Sequence, residues 1–384
     1  PSWWQPWATS ALESGQPAVW PLSRTSPATD AIRFQESLAH ATIRRMTPLA
    51  PGWRLIAGHD WAVQLLSSAA SHDRVGHAYL FTGPDHVGKL TLARTLAQAL
   101  NCEAAPAGRP CGHCRACRLV AQDKHPDVRV VVPEVSERGT ASIKIDQVRR
   151  LQQDLSLSTY EARTKVALLR RFDTANPNAA NAFLKTLEEP PSHVVLLLTA
   201  ADSDTVLPTI NSRCRTVALR PLPTETLEEV LMARHGVAAQ EANLLAHLAD
   251  GRLGWAIRAH RDRALLEERN AQLETLRKAL DSTLVGRFAL AEALARKADA
   301  LPPLLRTWLS WWRDLALLAY GPRRDGAISN IDQVEQLHRL ATQWPRARVL
   351  ASLQQTEVAL RQLARNANAR LVIENIMLTY PQTA

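Results

Sequence analysis

The segment HAYLFTGPDHVGKLTLARTLAQAL (77–100) constrains the fold more than any other part of the chain. Its first residues (77–84) read as a short apolar strand that ends at a Gly-Pro turn. Residues 89–100 place Leu92, Leu96 and Leu100 at helical spacing. Between strand and helix, GPDHVGK fits G-x-x-x-x-G-K, the spacing of a phosphate-binding loop. Gly83 and Gly88 let the backbone wrap so that amides face phosphate oxygens, and the helix N-terminus adds partial positive charge. Lys89 would reach the terminal phosphates. The residue after it should bring a hydroxyl to Mg²⁺, but it is Leu90. Thr91 cannot simply replace it, because one helical step turns a side chain by about 100°.

The flanking sequence repeats the same alternation. Residues 60–71 read as a helix with Trp61, Leu65 and Leu66 on one face. Strands are expected at 128–134, 165–170 and 193–200, and helices at 145–155 and 180–189, the last stopped by Pro190 and Pro191. Apolar runs without polar alternation fit strands buried on both faces, so an α/β fold with a parallel sheet is expected. RPLP (220–223) breaks the pattern, and only helical periodicity follows. Leu304, Trp308, Trp311, Leu315 and Leu318 form one stripe, which suits a core or a contact with a partner helix. The expected organisation is a poorly ordered Trp- and Pro-containing extension over 1–45 and an α/β domain over 46–222. A small helical domain (223–264) and a larger helical domain (265–384) follow.

Four of the five cysteines fall in Cys102–Cys117, as C-x8-C-x2-C-x2-C. No stretch has the order of a secretion signal, so these thiols read as a metal site before they read as disulfides. Cys102, Cys111, Cys114 and Cys117 can surround Zn²⁺ tetrahedrally, and four protein ligands leave no open position, so the site should be structural. His113 reads as a bystander. The net charge of +9 suggests a polyanionic partner, although an Arg-rich composition, with only seven Lys among 46 basic residues, also accounts for it. No apolar run reaches the ~18–20 residues of a membrane span. A soluble cytoplasmic protein with no membrane partner is expected.

Two further motifs, KTLEEPP (185–191) and TINSRC (209–214), flank the 193–200 strand. Together with the phosphate loop, the four-cysteine insertion, GHAYLFTGP and NARLVIENIMLTYP near the C-terminus, they resemble the bacterial DNA polymerase III clamp-loader ATPases of the AAA+ class. The likeness covers roughly residues 53–384. It implies an AAA+ P-loop domain with a small zinc module, a helical lid and an all-α collar that assembles a ring. Implied partners are the gamma/tau and delta subunits, and, through the assembled complex, the sliding clamp and primed DNA. Arg213 of SRC is implied to act in trans as an arginine finger on a neighbour's ATP. Cys214 reads as a structural thiol.

The departures from the family pattern are specific. The motor subunits end a strand in Asp-Glu, one residue for Mg²⁺ and one for the attacking water. Here those slots hold Arg170 and Arg171, and guanidinium can neither bind Mg²⁺ nor accept a proton. Asp173 lies three residues beyond Arg170 and would need a register shift to fill the slot. The polar sensor slot falls near Ala200 and Ala201, beside Thr199. The lid arginine slot falls on Trp255, with Arg252 and Arg258 at other helical angles. These losses resemble the non-motor delta-prime type. They imply weak or absent ATP binding at Gly83, Gly88, Lys89 and Thr91, and no independent enzymatic activity. Two alternatives stay open at this point. One is a gamma/tau-type motor, against which the lack of a long tail after residue 384 is set. The other is a zinc-stabilised DNA-binding protein with a degenerate phosphate loop.

Overall fold

The computed structural model describes residues 49–135, 141–321, 327–365 and 367–382. The extension expected over 1–45 lies outside the described residues. Among those described, seven strands occur: β1 (Ala78–Thr82), β2 (Val128–Val131), β3 (Glu134–Val135), β4 (Ala141–Ser142), β5 (Lys165–Leu169), β6 (Val194–Ala200) and β7 (Arg215–Ala218). Five of them form one parallel sheet in the order β2-β5-β6-β1-β7. Every residue of β1, β5 and β6 is buried, as the unbroken apolar runs require. Alternate side chains serve opposite cores. Tyr79 and Phe81 join Leu66, Leu92 and Leu96 on one face. Ala78 and Leu80 join Val148, Leu151 and Phe183 on the other.

Several boundaries differ from the sequence reading. The run at 128–134 is broken, because Pro133 has no N–H to continue a ladder, and Glu134–Val135 pairs antiparallel with β4 instead. Helix Pro177–Glu188 starts three residues earlier than expected. Asn176 caps it by accepting from the Ala179 amide at 2.7 Å, with Pro177 in the first turn. In helix Asp60–Ser71 the buried face is Ala62, Val63, Leu66 and Ala70, while Trp61 is half exposed. The edge strand β7 was not legible, since three of its four residues are exposed.

One buried carboxylate organises a long loop. Asp127 accepts hydrogen bonds from the amides of Tyr160, Glu161 and Ala162 at 2.8, 2.9 and 2.9 Å. Nearby, the buried Lys165 ammonium donates to the carbonyls of Asp154, Leu157 and Ser158, closing the C-terminal end of helix Ile145–Ser156.

Beyond Pro223 the described elements are helical. Helices Thr224–His235, Ala239–Ala249 and Leu253–Arg261 enclose a small core of Leu227, Leu231, Leu245 and Ala256. A second helical core gathers Leu276, Trp308, Trp312, Leu337, Ile373 and Tyr380. Helix Leu301–Tyr320 buries Leu304, Trp308, Trp311 and Leu315 within this chain, so that stripe is core and is not free for a partner helix. Trp312, which the stripe omitted, is fully buried, its ring centroid 4.9 Å from that of Tyr380 with the two rings tilted at 55°. The buried Arg287 guanidinium donates to the carbonyls of Leu280, Met377, Tyr380 and Pro381, tying down the last helix. Arg313 pairs with Asp250 at 2.8 Å, and buried Asp314 accepts from the amides of Ser329 and Asn330, joining the two helical cores. Among the described residues no helix is long and apolar enough to cross a membrane.

Asp127 supplies a test of the loop. Burial raises the pKa of its carboxyl, but the three amides outweigh that effect and hold it below the ordinary value of 3.8. A depressed carboxylate contributes stability above its unfolded pKa and loses it as pH falls through the folded value. Asp127→Asn should therefore cost about 2 kcal/mol in urea unfolding near neutral pH. The gap from the parent chain should narrow below about pH 4. A gap that does not change with pH would contradict this account of the loop.

Candidate functional site

The phosphate loop springs from the C-terminal end of β1, between β6 and β7. Gly83 donates its amide to Ala201 O at 3.1 Å, and Leu219 donates to Thr82 O at 2.8 Å, so the root of the loop is pinned on both sides. Gly83 has φ +136°, and a Cβ there would meet Leu219 O at 2.2 Å, so only glycine fits. Gly88, at φ +114°, is the N-cap of helix Lys89–Asn101. The loop tip is held from the lid side as well. The Gly254 amide, at the start of helix Leu253–Arg261, donates to His86 O at 2.9 Å.

Lys89 does not point outward. Its ammonium donates to Pro84 O at 2.9 Å and, in a shorter bond, to Gly83 O. It also lies 3.9 Å from an Asp85 carboxylate oxygen. The side chain is buried, and burial outweighs the raising effects of Asp85 and Asp173, so its pKa is lowered. Leu90 is half-buried and packs on the core that contains Leu92 and Leu96. Thr91 faces solvent.

The acidic slots after β5 hold Arg170 and Arg171. The Arg170 amide donates to Val131 O at 2.9 Å, which continues the β2–β5 ladder without a slip. Arg171 is left-handed (φ +51°), and its amide donates to Thr199 Oγ1 at 2.9 Å. Thr199, the polar group nearest the sensor slot, is thus engaged with backbone. Asp173 is closer to the loop than its sequence position suggested. A short 3-10 turn, Phe172–Thr174, brings its carboxyl within electrostatic reach of Arg171, Asp85 and Lys89 with no register shift. Its Oδ1 is buried without a hydrogen-bond partner, and burial raises its pKa. Sequence reasoning missed this because strand ladders, not turns, set the slot it tested.

Arg213 is exposed, just ahead of β7. Its guanidinium donates to Thr209 O at 2.9 Å and pairs with Glu188 Oε1 at 2.9 Å, at the C-terminal end of helix Pro177–Glu188. The KTLEEPP and SRC motifs, separated by β6 in sequence, are thus in contact. Cys214 is half-buried against the core, and burial pushes its thiol up to about 12. The lid slot holds Trp255, with the Arg252 guanidinium 5.9 Å from its ring centroid.

The sulfurs of Cys102, Cys111, Cys114 and Cys117 all lie within 4.8 Å of one another, which could hold a metal ion. Tetrahedral Zn²⁺ with ligands at about 2.3 Å requires sulfurs about 3.8 Å apart, and Cys102 and Cys114 are at 4.0 Å. Amides of Cys111, Cys114 and Cys117 point at the sulfurs of Cys102, Cys111 and Cys114, at 3.3, 3.3 and 3.4 Å. Burial pushes the Cys102 and Cys117 thiols up. At Cys111 burial acts the same way, but donated hydrogen bonds outweigh it and bring that thiol to about 6. His113 stands outside the cluster, its ring against Cys111 O. Cys102 ends helix Lys89–Asn101, Gln98 holds Cys117 O at 2.8 Å, and the Trp53 indole donates to Arg109 O at 2.9 Å. The module is therefore fixed to the far end of the phosphate-loop helix.

Comparisons with known proteins agree with this arrangement. A family model described as "DNA polymerase III, delta subunit" matches residues 58–223, and one described as "DNA polymerase III, delta subunit, C terminal" matches residues 263–381. DNA polymerase III subunit delta' of Pseudomonas aeruginosa is 33% identical over 330 residues, covering 84% of this chain and 97% of that protein. Subunit delta' of Bacillus subtilis is 35% identical over 188 residues, 49% of this chain and 55% of its own length. Subunit tau of Salmonella typhimurium is 34% identical over 215 residues, 53% of this chain but 33% of its own length. The chain belongs to the DNA polymerase III delta' subunit family.

Proposed function

We propose that this chain is the non-motor delta' subunit of a bacterial clamp loader, and that it completes a neighbour's ATP site with Arg213 while hydrolysing little or no ATP itself. The observation that carries the reading is the acid slot. Two arginines end the strand where Mg²⁺ and water activation need carboxylates. The supporting features agree in direction. Lys89 is satisfied by its own loop, Leu90 brings no hydroxyl, and Thr199 is engaged by the Arg171 amide. Arg213, by contrast, is exposed on one side of the α/β domain. A guanidinium set against a transferring phosphoryl group neutralises charge that develops in the transition state.

In this reading residues 46–222 form the P-loop domain, 223–264 the lid and 265–384 the collar that joins a ring with gamma/tau and delta. The ring loads the sliding clamp on primed DNA in the cytoplasm. The four cysteines would hold Zn²⁺, which supplies folding energy to the 102–117 module and no open coordination site.

Two measurements check these statements. ATP turnover is read in a reconstituted loader stimulated by clamp and primed DNA, with this chain alone as the blank. The blank should be silent. Arg213→Ala should slow the neighbouring site by about 10³-fold or more, and total turnover should fall by that site's share without loss of assembly. A blank that hydrolyses ATP at the loader's rate would make Asp173 a working acid and the chain a motor. For the module, metal analysis should find one Zn²⁺ per chain. Cys117→Ser should release it and lower the thermal unfolding midpoint. A metal-free chain with reduced thiols and an unchanged midpoint would exclude the zinc reading.

A further inference from the structure

Glu188 is the last residue of helix Pro177–Glu188. A carboxylate is unfavourable there, because the C-terminal end of a helix already carries partial negative charge. A guanidinium at the same place is favoured twice, by the helix end and by the carboxylate. Among the described residues, Lys185, one turn back on the same helix, makes no ion pair with Glu188. The partner comes instead from beyond β6, as Arg213 at 2.9 Å. Arg213 has a second acceptor, Thr209 O at 2.9 Å, four residues back in its own segment. That bond moves with the segment, whereas Glu188 ties the guanidinium to a different element. The Arg213 side chain is 38% exposed and that of Glu188 50%, so the pair is open to an incoming anion.

We propose that Glu188 is a latch on the arginine finger. In the resting chain it holds the Arg213 guanidinium on this subunit, and it gives way to the terminal phosphate of a neighbour's ATP when clamp and primed DNA bind the loader. The inference rests on the trans role proposed above for Arg213. An N–H that Arg213 donates to Glu188 cannot at the same time be directed at a phosphate oxygen, so carboxylate and phosphate compete for it. The two anions also repel, and Glu188, at an exposed helix end, is free to turn into solvent as the nucleotide approaches. A latch has to be weak enough to open, and exposed ion pairs are weak. A buried pair would hold the finger permanently, because breaking it strands a charge away from water. Glu188 touches no nucleotide in this account. It is a positioning residue that sets when Arg213 becomes available.

The test uses a loader reconstituted with the parent chain, Glu188→Gln, Glu188→Asp, Arg213→Ala or the double variant Glu188→Gln/Arg213→Ala. ATP turnover is read with and without clamp and primed DNA, and assembly is verified by sedimentation. Because both residues are exposed, each variant chain should melt like the parent. Glu188→Gln keeps the length of the side chain and removes its charge. It should raise unstimulated turnover at the neighbouring site by about two- to fivefold and leave stimulated turnover within about 1.5-fold. Glu188→Asp keeps the charge and should stay closer to the parent than Glu188→Gln. In the Arg213→Ala background, Glu188→Gln should change nothing. An unstimulated rate that Glu188→Gln leaves unchanged, with Arg213→Ala still slowing the stimulated loader, overturns the latch and keeps the trans finger. A Glu188→Gln loader slowed like Arg213→Ala would mean that the pair orients the finger for catalysis, and also overturns the latch. So does an increase that persists in the double variant, since it would not act through Arg213. If Arg213→Ala leaves stimulated turnover unchanged, the trans reading itself fails and the latch falls with it.

Discussion

β1 is paired in parallel on both edges, and the geometry of the functional region follows from that constraint. The ladder carries through to Leu219 N on Thr82 O and Gly83 N on Ala201 O, so the loop begins from a fixed root. The close approach of Leu219 O leaves no room for a side chain at residue 83. The loop then turns over helix Lys89–Asn101, whose far end carries Cys102 and the four-thiol module. Loop, helix and module follow one another from a fully buried five-residue strand.

In the proposed reading this scaffold handles no Mg²⁺. Leu90 is drawn into the core where a hydroxyl would be needed, and Arg170 and Arg171 put cations where carboxylates would be needed. The backbone reuses what remains. Thr199 accepts from the Arg171 amide, and the ammonium of Lys89 donates to the loop's own carbonyls. A buried ammonium with two carbonyl acceptors has little to gain from reaching outward, because leaving them unpaired costs desolvation again. Asp85 and Asp173 are both within electrostatic reach of Lys89, and burial raises the pKa of Asp173. Arg213 is in the opposite situation. Its pairing with Glu188 is solvent-exposed, and such pairs contribute on the order of 0–1 kcal/mol, so the guanidinium can be redirected at small cost.

The sheet was legible because β1, β5 and β6 are apolar throughout, which only burial on both faces explains. The thiol cluster was legible because its spacing leaves few alternatives. Elements whose sequence is governed by an edge or a turn were not. β7 exposes three of four residues and carries no apolar run. The start of helix Pro177–Glu188 was written in a cap, Asn176 before Pro177, and not in apolar spacing. Trp61 sits at helical spacing with Leu65, yet it is exposed because small residues, Ala62 and Ala70, make the close contact. Two features could not be read from sequence at all. The contact of Glu188 with Arg213 joins motifs on opposite sides of β6, and the turn at Phe172–Thr174 redirects Asp173 toward the loop. The stripe at 304–318 was read correctly as amphipathic, but its partners are helices of the same chain.

The central claim is that the phosphate loop keeps its fold while its lysine serves the loop itself. Equilibrium binding of Mg-ATP to the isolated full chain tests it most directly, with Lys89→Ala as the paired measurement. The account predicts no saturable Mg-dependent binding at millimolar nucleotide, and the same result for the variant. A single Mg-dependent site of micromolar affinity that Lys89→Ala abolishes would contradict it, and would mean that Lys89 leaves the carbonyls of Gly83 and Pro84 to hold nucleotide.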